Sequence, residues 1–150
     1  MKELYLEDFE VAQTFAGSTR IRVDKERIKS FAAEFDPQPF HLDESAAQGS
    51  IFGGLAASGW HTAAMTMRLL VDSDFKPAGG TIGAGFDDLR WPRPVRPGDE
   101  LRVQSEVLEV RPSKSRPNQG VIKVRTTTLN QNGEAVQVSV GNLVVKARPK

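Results

Sequence analysis

Residues 55–71 form the stretch that most limits how this chain can fold. They read LAASGWHTAAMTMRLLV, a run of mostly small and apolar side chains with a single charge, at Arg68. A helix that is apolar on nearly all sides is typical of a protein interior, so we expect a buried helix over residues 58–71. One face of that helix would carry Trp60, Ala64, Met67 and Val71.

Four segments after this helix have the composition and alternation of β-strands. They read TIGAGFDDLRWPRPV, ELRVQSEVLEV, GVIKVRTTTLN and EAVQVSVGNLVVKA. The second segment changes phase at Leu108, which predicts a β-bulge, and Asn132-Gly133 predicts a hairpin between the last two. We therefore predict an α+β fold in which a long antiparallel sheet wraps around the buried helix. The alternative is a two-layer sandwich, which would not require burial of the helix on all sides.

Residues 35–41, FDPQPFH, contain the most constrained backbone of the chain. An amphipathic helix precedes them and must stop near Asp36, because Pro37 and Pro39 each disfavour helical geometry in the residue before. The prolines also restrict the path from Asp36 to His41, which favours a preorganised pair of side chains. A carboxylate and an imidazole that hold one water can divide its proton transfers, so this pair is the candidate acid–base site.

Length, charge and composition exclude several other functions. The chain has 150 residues, which suits one domain over residues 1–150, and its net charge of +1 argues against a nucleic-acid partner. There is no cysteine, which excludes a thiol nucleophile and agrees with a cytoplasmic location. The N-terminus has no apolar core of a signal peptide, and no apolar run is long enough to span a membrane. Two histidines without cysteine argue against a metal site, and we expect no cofactor.

The proline-rich segment resembles the signature of the MaoC-type dehydratases, the (R)-specific enoyl-CoA hydratase branch of the hotdog fold. That signature reads Gly-Asp-x-Asn-Pro-x-His, and here Asp36, Pro39 and His41 match it. Phe35 and Gln38 replace the glycine and the asparagine of the signature. The resemblance extends over nearly the whole chain and includes the segment PVRPGDEL at residues 94–101.

A second short motif of the family, His-Gly-Met, has its counterpart at the start of the predicted helix. The chain reads Ser-Gly-Trp there, so Gly59 matches while Ser58 and Trp60 do not. Some family members also carry a serine further along this helix, where Met67 stands here. These departures leave the acid and the base of the signature in place.

The resemblance implies reversible addition of water to a trans-2-enoyl-CoA thioester. Asp36 and His41 would hold the water, and the backbone N–H of Gly59 would bind the thioester oxygen. Family members commonly assemble as homodimers or larger homo-oligomers, which is our expectation here. The residues expected to contact the substrate are Ser58, Trp60, Phe40 and Arg90.

Several alternatives remain open. Arg90, Arg93 and Arg96 could reach the phosphates of coenzyme A, or could be solvated surface charge. His61 is expected to be a core or interface histidine with its hydrogen bonds satisfied. A hotdog thioesterase usually has an acid on or near the central helix, and here Asp72 comes only at its far end. A protein that binds acyl thioesters without catalysis is the third possibility.

Overall fold

The computed structural model describes residues 2–150. A short 3₁₀ turn at Leu6–Asp8 comes first. The elements that follow are, in chain order, β1 Thr14–Ala16, β2 Ile21–Arg22, α1 Lys25–Phe35, α2 Pro39–Leu42, α3 Glu44–Gln48, α4 Gly59–Val71, β3 Ile82–Arg90, β4 Glu100–Pro112, β5 Gln119–Leu129 and β6 Ala135–Lys146.

The strands form one antiparallel sheet in the order β1-β4-β5-β6-β3, with β2 pairing beside β1 on β4. The pairing of β4 with β5 shifts register between Val107 and Glu109, which confirms the bulge predicted at Leu108. The hairpin predicted at Asn132-Gly133 is also confirmed. Asn130 N–H donates to the carbonyl of Glu134 at 2.9 Å, and Gly133 has a φ of +74°, a conformation that favours glycine.

Helix α4 packs on the long strands and connects two apolar clusters of the core. Met65 and Leu69 belong to the cluster that includes Leu101, while Leu70 belongs to the cluster around Phe75. This arrangement of a long antiparallel sheet around a central helix confirms the predicted α+β fold class.

The expectation that α4 is buried on all sides is wrong for the single chain. Trp60, Met67 and Val71 are 60%, 45% and 46% exposed, and they lie on the face identified from the sequence. The edge strand β3 lies beside this face, and its Phe86 is 62% exposed. The sheet ends at β3, so no further layer within residues 2–150 covers these side chains.

Helix α1 ends at Phe35, next to the stop that the prolines predict near Asp36. Asp24 caps its N-terminus by accepting the N–H of Arg27 at 2.8 Å, and Asp36 is the C-cap residue. Phe35, in the last turn, is 64% exposed. No helix in residues 2–150 is long and apolar enough to cross a membrane.

Candidate active site

Asp36 and His41 lie together at the ends of two short elements. Asp36 ends α1, and Pro39 begins α2, which turns the chain so that His41 points back toward Asp36. Nε2 of His41 is 3.4 Å from Oδ2 of Asp36, and His41 is only 4% exposed. At this separation, one water can lie roughly 2.8 Å from both atoms, a normal hydrogen-bonding distance. The structure therefore brings the acid and the base predicted from the sequence into one site.

The hydrogen bond on the other ring nitrogen determines how His41 can act. Nδ1 of His41 is 2.6 Å from the carbonyl oxygen of Ala56. A carbonyl can only accept, so Nδ1 carries a proton and donates it. In the neutral ring Nε2 is then the unprotonated nitrogen, and it faces Asp36. Nε2 and the carboxylate oxygen are then two acceptors that face each other, so both can accept hydrogen bonds from one water.

Two side chains hold the carboxylate of Asp36. The hydroxyl of Ser58 donates to Oδ2 at 2.7 Å, and the amide Nε2 of Gln38 donates to Oδ1. Burial raises the pKa of Asp36, but these two hydrogen bonds and the positive charge of a protonated His41 outweigh it. The pKa of Asp36 is therefore lower than its ordinary value, and the group is ionised at neutral pH.

Gly59 is the first residue of α4, directly after Ser58. The oxygen of Ser58 caps the helix by accepting the N–H of Trp60 at 3.2 Å. The N–H of Gly59 donates to no acceptor among residues 2–150, as is usual for the first turn of a helix. This N–H lies at the positive end of the helix dipole, next to the residue that contacts Asp36.

The glycine at this position is also required for packing. A Cβ placed on Gly59 would lie 2.8–2.9 Å from three ring atoms of Trp91, well inside normal contact distance. The indole Nε1–H of Trp91 donates to Oε1 of Gln137 at 2.9 Å, which anchors the ring. The structure therefore shows a packing role for Gly59 that is compatible with a free N–H.

The residues expected to contact the substrate occupy different places. Ser58 is completely buried and its hydroxyl hydrogen is engaged by Asp36. Trp60 is exposed and meets Trp91 edge-on at 5.6 Å between ring centroids. Phe40 is half-buried and packs edge-on against His41 at 4.6 Å. Arg90 is exposed at the end of β3 and pairs with its neighbour Asp88 at 2.9 Å, so no contact joins it to the site.

The neighbouring arginines are both engaged within the chain. Arg93 pairs with Glu134 at 3.3 Å. Arg96 donates from Nη1 to the carbonyls of Gly54 and Leu55 at 2.8 and 3.3 Å, and from Nη2 to that of Phe52. Arg96 is thus a clamp on the loop that leads to α4.

His61 is a core histidine, but its hydrogen bonds are not satisfied as expected. It is 8% exposed and stacks on Phe31 with ring centroids 4.7 Å apart. Its Nδ1 is buried and has no hydrogen-bond partner among residues 2–150. Burial, reinforced by the charge of Arg27, lowers the pKa of His61, so the ring is held neutral.

Three contributors to the site were missed in the sequence. Gln38 stands inside the proline-rich segment and was noted only as a departure from the family signature. The carbonyl of Ala56 and the ring of Trp91 carry no local signal at all, because they contact His41 and Gly59 from distant parts of the chain. No group of three or more potential metal-ligating side chains occurs in residues 2–150.

Comparison with known proteins identifies the family of this chain. The MaoC like domain family matches residues 8–130. The crystal structure of a MaoC-like dehydratase from Rhodospirillum rubrum is 58% identical, with a TM-score of 0.93 over 98% of this chain and 99% of that one. The R-hydratase PhaJ1 from Pseudomonas aeruginosa is 28% identical, with a TM-score of 0.72 over 97% of this chain and 88% of that one.

A curated relative extends the match along almost the full chain. The uncharacterized protein YdeM of Bacillus subtilis (strain 168) is 34% identical over 140 residues, which cover 93% of this chain and 96% of YdeM. The structural neighbours confirm the predicted hotdog fold. The chain is a member of the MaoC-like dehydratase family.

Proposed function

We propose that the protein is a hydro-lyase that adds water reversibly to a trans-2-enoyl-CoA thioester, giving a 3-hydroxyacyl-CoA. The observation that carries this proposal is the pair of buried His41 and half-buried Asp36, 3.4 Å apart, beside the first turn of α4. The similarity to an R-hydratase supports the same reaction class. Hydration needs proton transfers and an oxyanion site, and the residues described above supply both.

His41 is the group that exchanges protons with water in this proposal. Its Nε2 accepts a proton from water while the water oxygen forms a bond to C3 of the substrate. The electrons of the C2–C3 double bond move onto the thioester as an enolate, and the imidazolium then returns a proton to C2. The net change is the addition of one water molecule, without a cofactor.

Asp36 acts as a fixed negative charge rather than as the base. Its pKa is lower than normal, so at neutral pH the carboxylate is a weak proton acceptor. Its Oδ2 lies beside Nε2 of His41, where it stabilises the imidazolium that forms and orients the water. The two residues therefore work as one unit, with separate tasks.

The N–H of Gly59 is the donor for the enolate oxygen. It has no acceptor within the described chain and lies at the N-terminus of a helix of 13 residues. Such a donor, aligned with the helix dipole, stabilises negative charge as it develops. Loss of one donor of this kind typically lowers the rate by roughly 10²–10³.

A cavity beside α4, on the helix face that begins with Gly59, provides a place for the acyl group. Gly59, Ala63, Thr66 and Leu70 are spaced so that they share this face. A cavity of about 100 Å³ lies between α4 and the sheet, with Phe86 of β3 in its wall. Ala63, Met67, Leu70 and Phe86 give the cavity a largely apolar lining, which suits an acyl group.

The competing functions lack a corresponding arrangement. For a thioesterase, the acid that follows the helix in sequence is Asp72, but it is the C-cap of α4 and pairs with Arg68 at 2.9 Å. A helix of 13 residues is roughly 20 Å long, so Asp72 lies far from Gly59. A binding protein without catalysis would have no need for the oriented pair of His41 and Asp36.

One assay separates the three functions. The protein is incubated with crotonyl-CoA and longer enoyl-CoA thioesters while enoyl absorbance and free thiol are followed together. Loss of absorbance without release of thiol supports the proposed hydratase. Release of thiol identifies a thioesterase, and binding with neither change identifies a binding protein; either result overturns the proposal.

We also infer that the protein works as a homodimer. The edge strand β3 has nine residues with no partner on its outer side within the described chain. Met67, an exposed side chain of α4, and Phe86 of this edge strand line the same cavity. A long unpaired strand edge and the apolar face beside it are both typical of an interface. A second copy of the chain that pairs along β3 would cover the edge and the face together.

A further inference from the structure

The hydroxyl of Ser58 makes two hydrogen bonds at the candidate active site. Its Oγ–H donates to Oδ2 of Asp36 at 2.7 Å, while its oxygen accepts the N–H of Trp60 at 3.2 Å. The residue is completely buried, so water does not compete for either bond. The hydroxyl thus connects the start of α4 to the carboxylate.

The oxygen that Ser58 contacts is the one that faces the base. Oδ2 of Asp36 is also the atom 3.4 Å from Nε2 of His41. Gln38 contacts the other oxygen, Oδ1, and it comes from the same exposed turn as Asp36. Ser58 is therefore the only one of the two donors that ties Asp36 to a different segment of the chain.

This geometry has a consequence for the direction in which Asp36 points. The carboxylate follows a helix end and precedes Pro37, so its backbone is restricted, but its side-chain torsions are not. Without the hydroxyl, Oδ2 could rotate toward solvent and leave Nε2 of His41 without its charge partner. A displacement of about 1 Å in a catalytic group is enough to lower a rate by roughly 10².

We propose that Ser58 is a positioning residue for hydration, which holds Asp36 so that Oδ2 faces Nε2 of His41. The proposal rests on the function proposed above, because it assigns Ser58 a task within that reaction. It differs from direct contact of Ser58 with the substrate, since the donor hydrogen of the hydroxyl is used within the protein.

The test compares Ser58→Ala with Ser58→Thr, which keeps a hydroxyl. We expect Ser58→Ala to lower kcat by roughly 10–10² with little change in KM, and Ser58→Thr to recover most of the loss. Asp24→Ala is the matched control, because it also removes an N-cap side chain but lies at the other end of α1 from Asp36. It should leave kcat unchanged.

A second measurement separates positioning from general structural damage. The side-chain carboxyl resonance of Asp36 is titrated by ¹³C NMR in the wild-type protein and in Ser58→Ala. Burial alone raises the pKa of Asp36, so removal of the Ser58 hydrogen bond should move it upward. Ser58→Cys, which keeps the size of the side chain with a weaker donor, serves the same titration if Ser58→Ala does not fold.

The outcomes distinguish this proposal from the proposed function. A wild-type protein without hydratase activity overturns the function, while the titration still tests whether Ser58 holds the carboxylate. An active wild-type protein whose Ser58→Ala variant keeps full kcat, or whose Asp36 pKa does not rise, overturns the positioning role. A change confined to KM would instead indicate contact with the substrate and would also overturn it.

Discussion

Replacement of Gly59 by alanine tests the packing at the start of α4. The added Cβ would lie 2.8 Å from Cε2 and Cζ2 of Trp91, whereas carbon atoms in contact are normally about 3.5–4.0 Å apart. The indole must therefore move by nearly 1 Å. That movement would strain its hydrogen bond to Gln137, which is 2.9 Å long.

The loss in free energy of unfolding expected for Gly59→Ala follows from these contacts. Overpacking in a well-packed region typically costs about 1–3 kcal/mol, and loss of a neutral hydrogen bond about 0.5–1.5 kcal/mol. The higher helix propensity of alanine offsets at most about 1 kcal/mol. We expect Gly59→Ala to reduce the free energy of unfolding by about 1–3 kcal/mol.

Urea denaturation followed by circular dichroism measures the loss. The two tryptophans of the chain, Trp60 and Trp91, pack against each other, so a change in emission of the native protein reports movement of the indole. Gly49→Ala is the control, since its Cβ would meet only Ala46 O, at 3.8 Å, and its φ of −84° suits any residue. It should be close to neutral.

A double-mutant cycle locates the strain. If the indole causes the loss, Gly59→Ala should cost much less in a Trp91→Ala background than in the wild type. An unchanged free energy of unfolding and unchanged emission in Gly59→Ala would refute the reasoning. A loss that is the same in both backgrounds would show that the strain lies elsewhere.

Three further predictions concern the pair, the interface and pH. Asp36→Asn and His41→Ala should each lower kcat/KM for hydration by roughly 10²–10⁴ without unfolding, and the double mutant should be far less than additive. Phe86→Glu should lower the mass measured by light scattering to that of a monomer, whereas Ile51→Glu, at a fully exposed apolar residue outside the edge, should leave it unchanged. The pKa of His61 is lower in the folded than in the unfolded chain, so the unfolded state binds more protons as pH falls below about 6.5. Unfolding followed against pH should show wild-type stability falling in this range, and His61→Phe should fall less steeply; parallel curves would contradict the assignment.

Local patterns were sufficient to predict most of the fold. The change of phase at Leu108 predicted the bulge, and Asn132-Gly133 predicted the hairpin, because both depend on side-chain alternation and turn conformation within a few residues. The apolar stretch correctly predicted α4 and its place against the sheet. It did not reveal that the face with Met67 is exposed, because an apolar pattern does not distinguish a core from an uncovered interface.

The site was predictable only in part for a related reason. Asp36 and His41 are five residues apart, and the prolines between them are visible in the sequence. The groups that orient them are not adjacent to them. Ala56 follows His41 by 15 residues and Ser58 follows Asp36 by 22, so no local pattern joins them, and only the resemblance at Ser-Gly-Trp indicated Ser58.

The proline-rich turn is therefore only one of two segments that hold Asp36 and His41 in place. It brings Asp36 and His41 close together, but their side chains are directed by the segment of residues 56–58, which contacts each of them once. That segment is itself attached to the sheet, where Ala57 N–H donates to the carbonyl of Val95 at 2.9 Å. The loop before it is clamped by Arg96. Because the segment is attached on both sides, the orientation of the acid and the base depends on the whole fold, as a preorganised site requires.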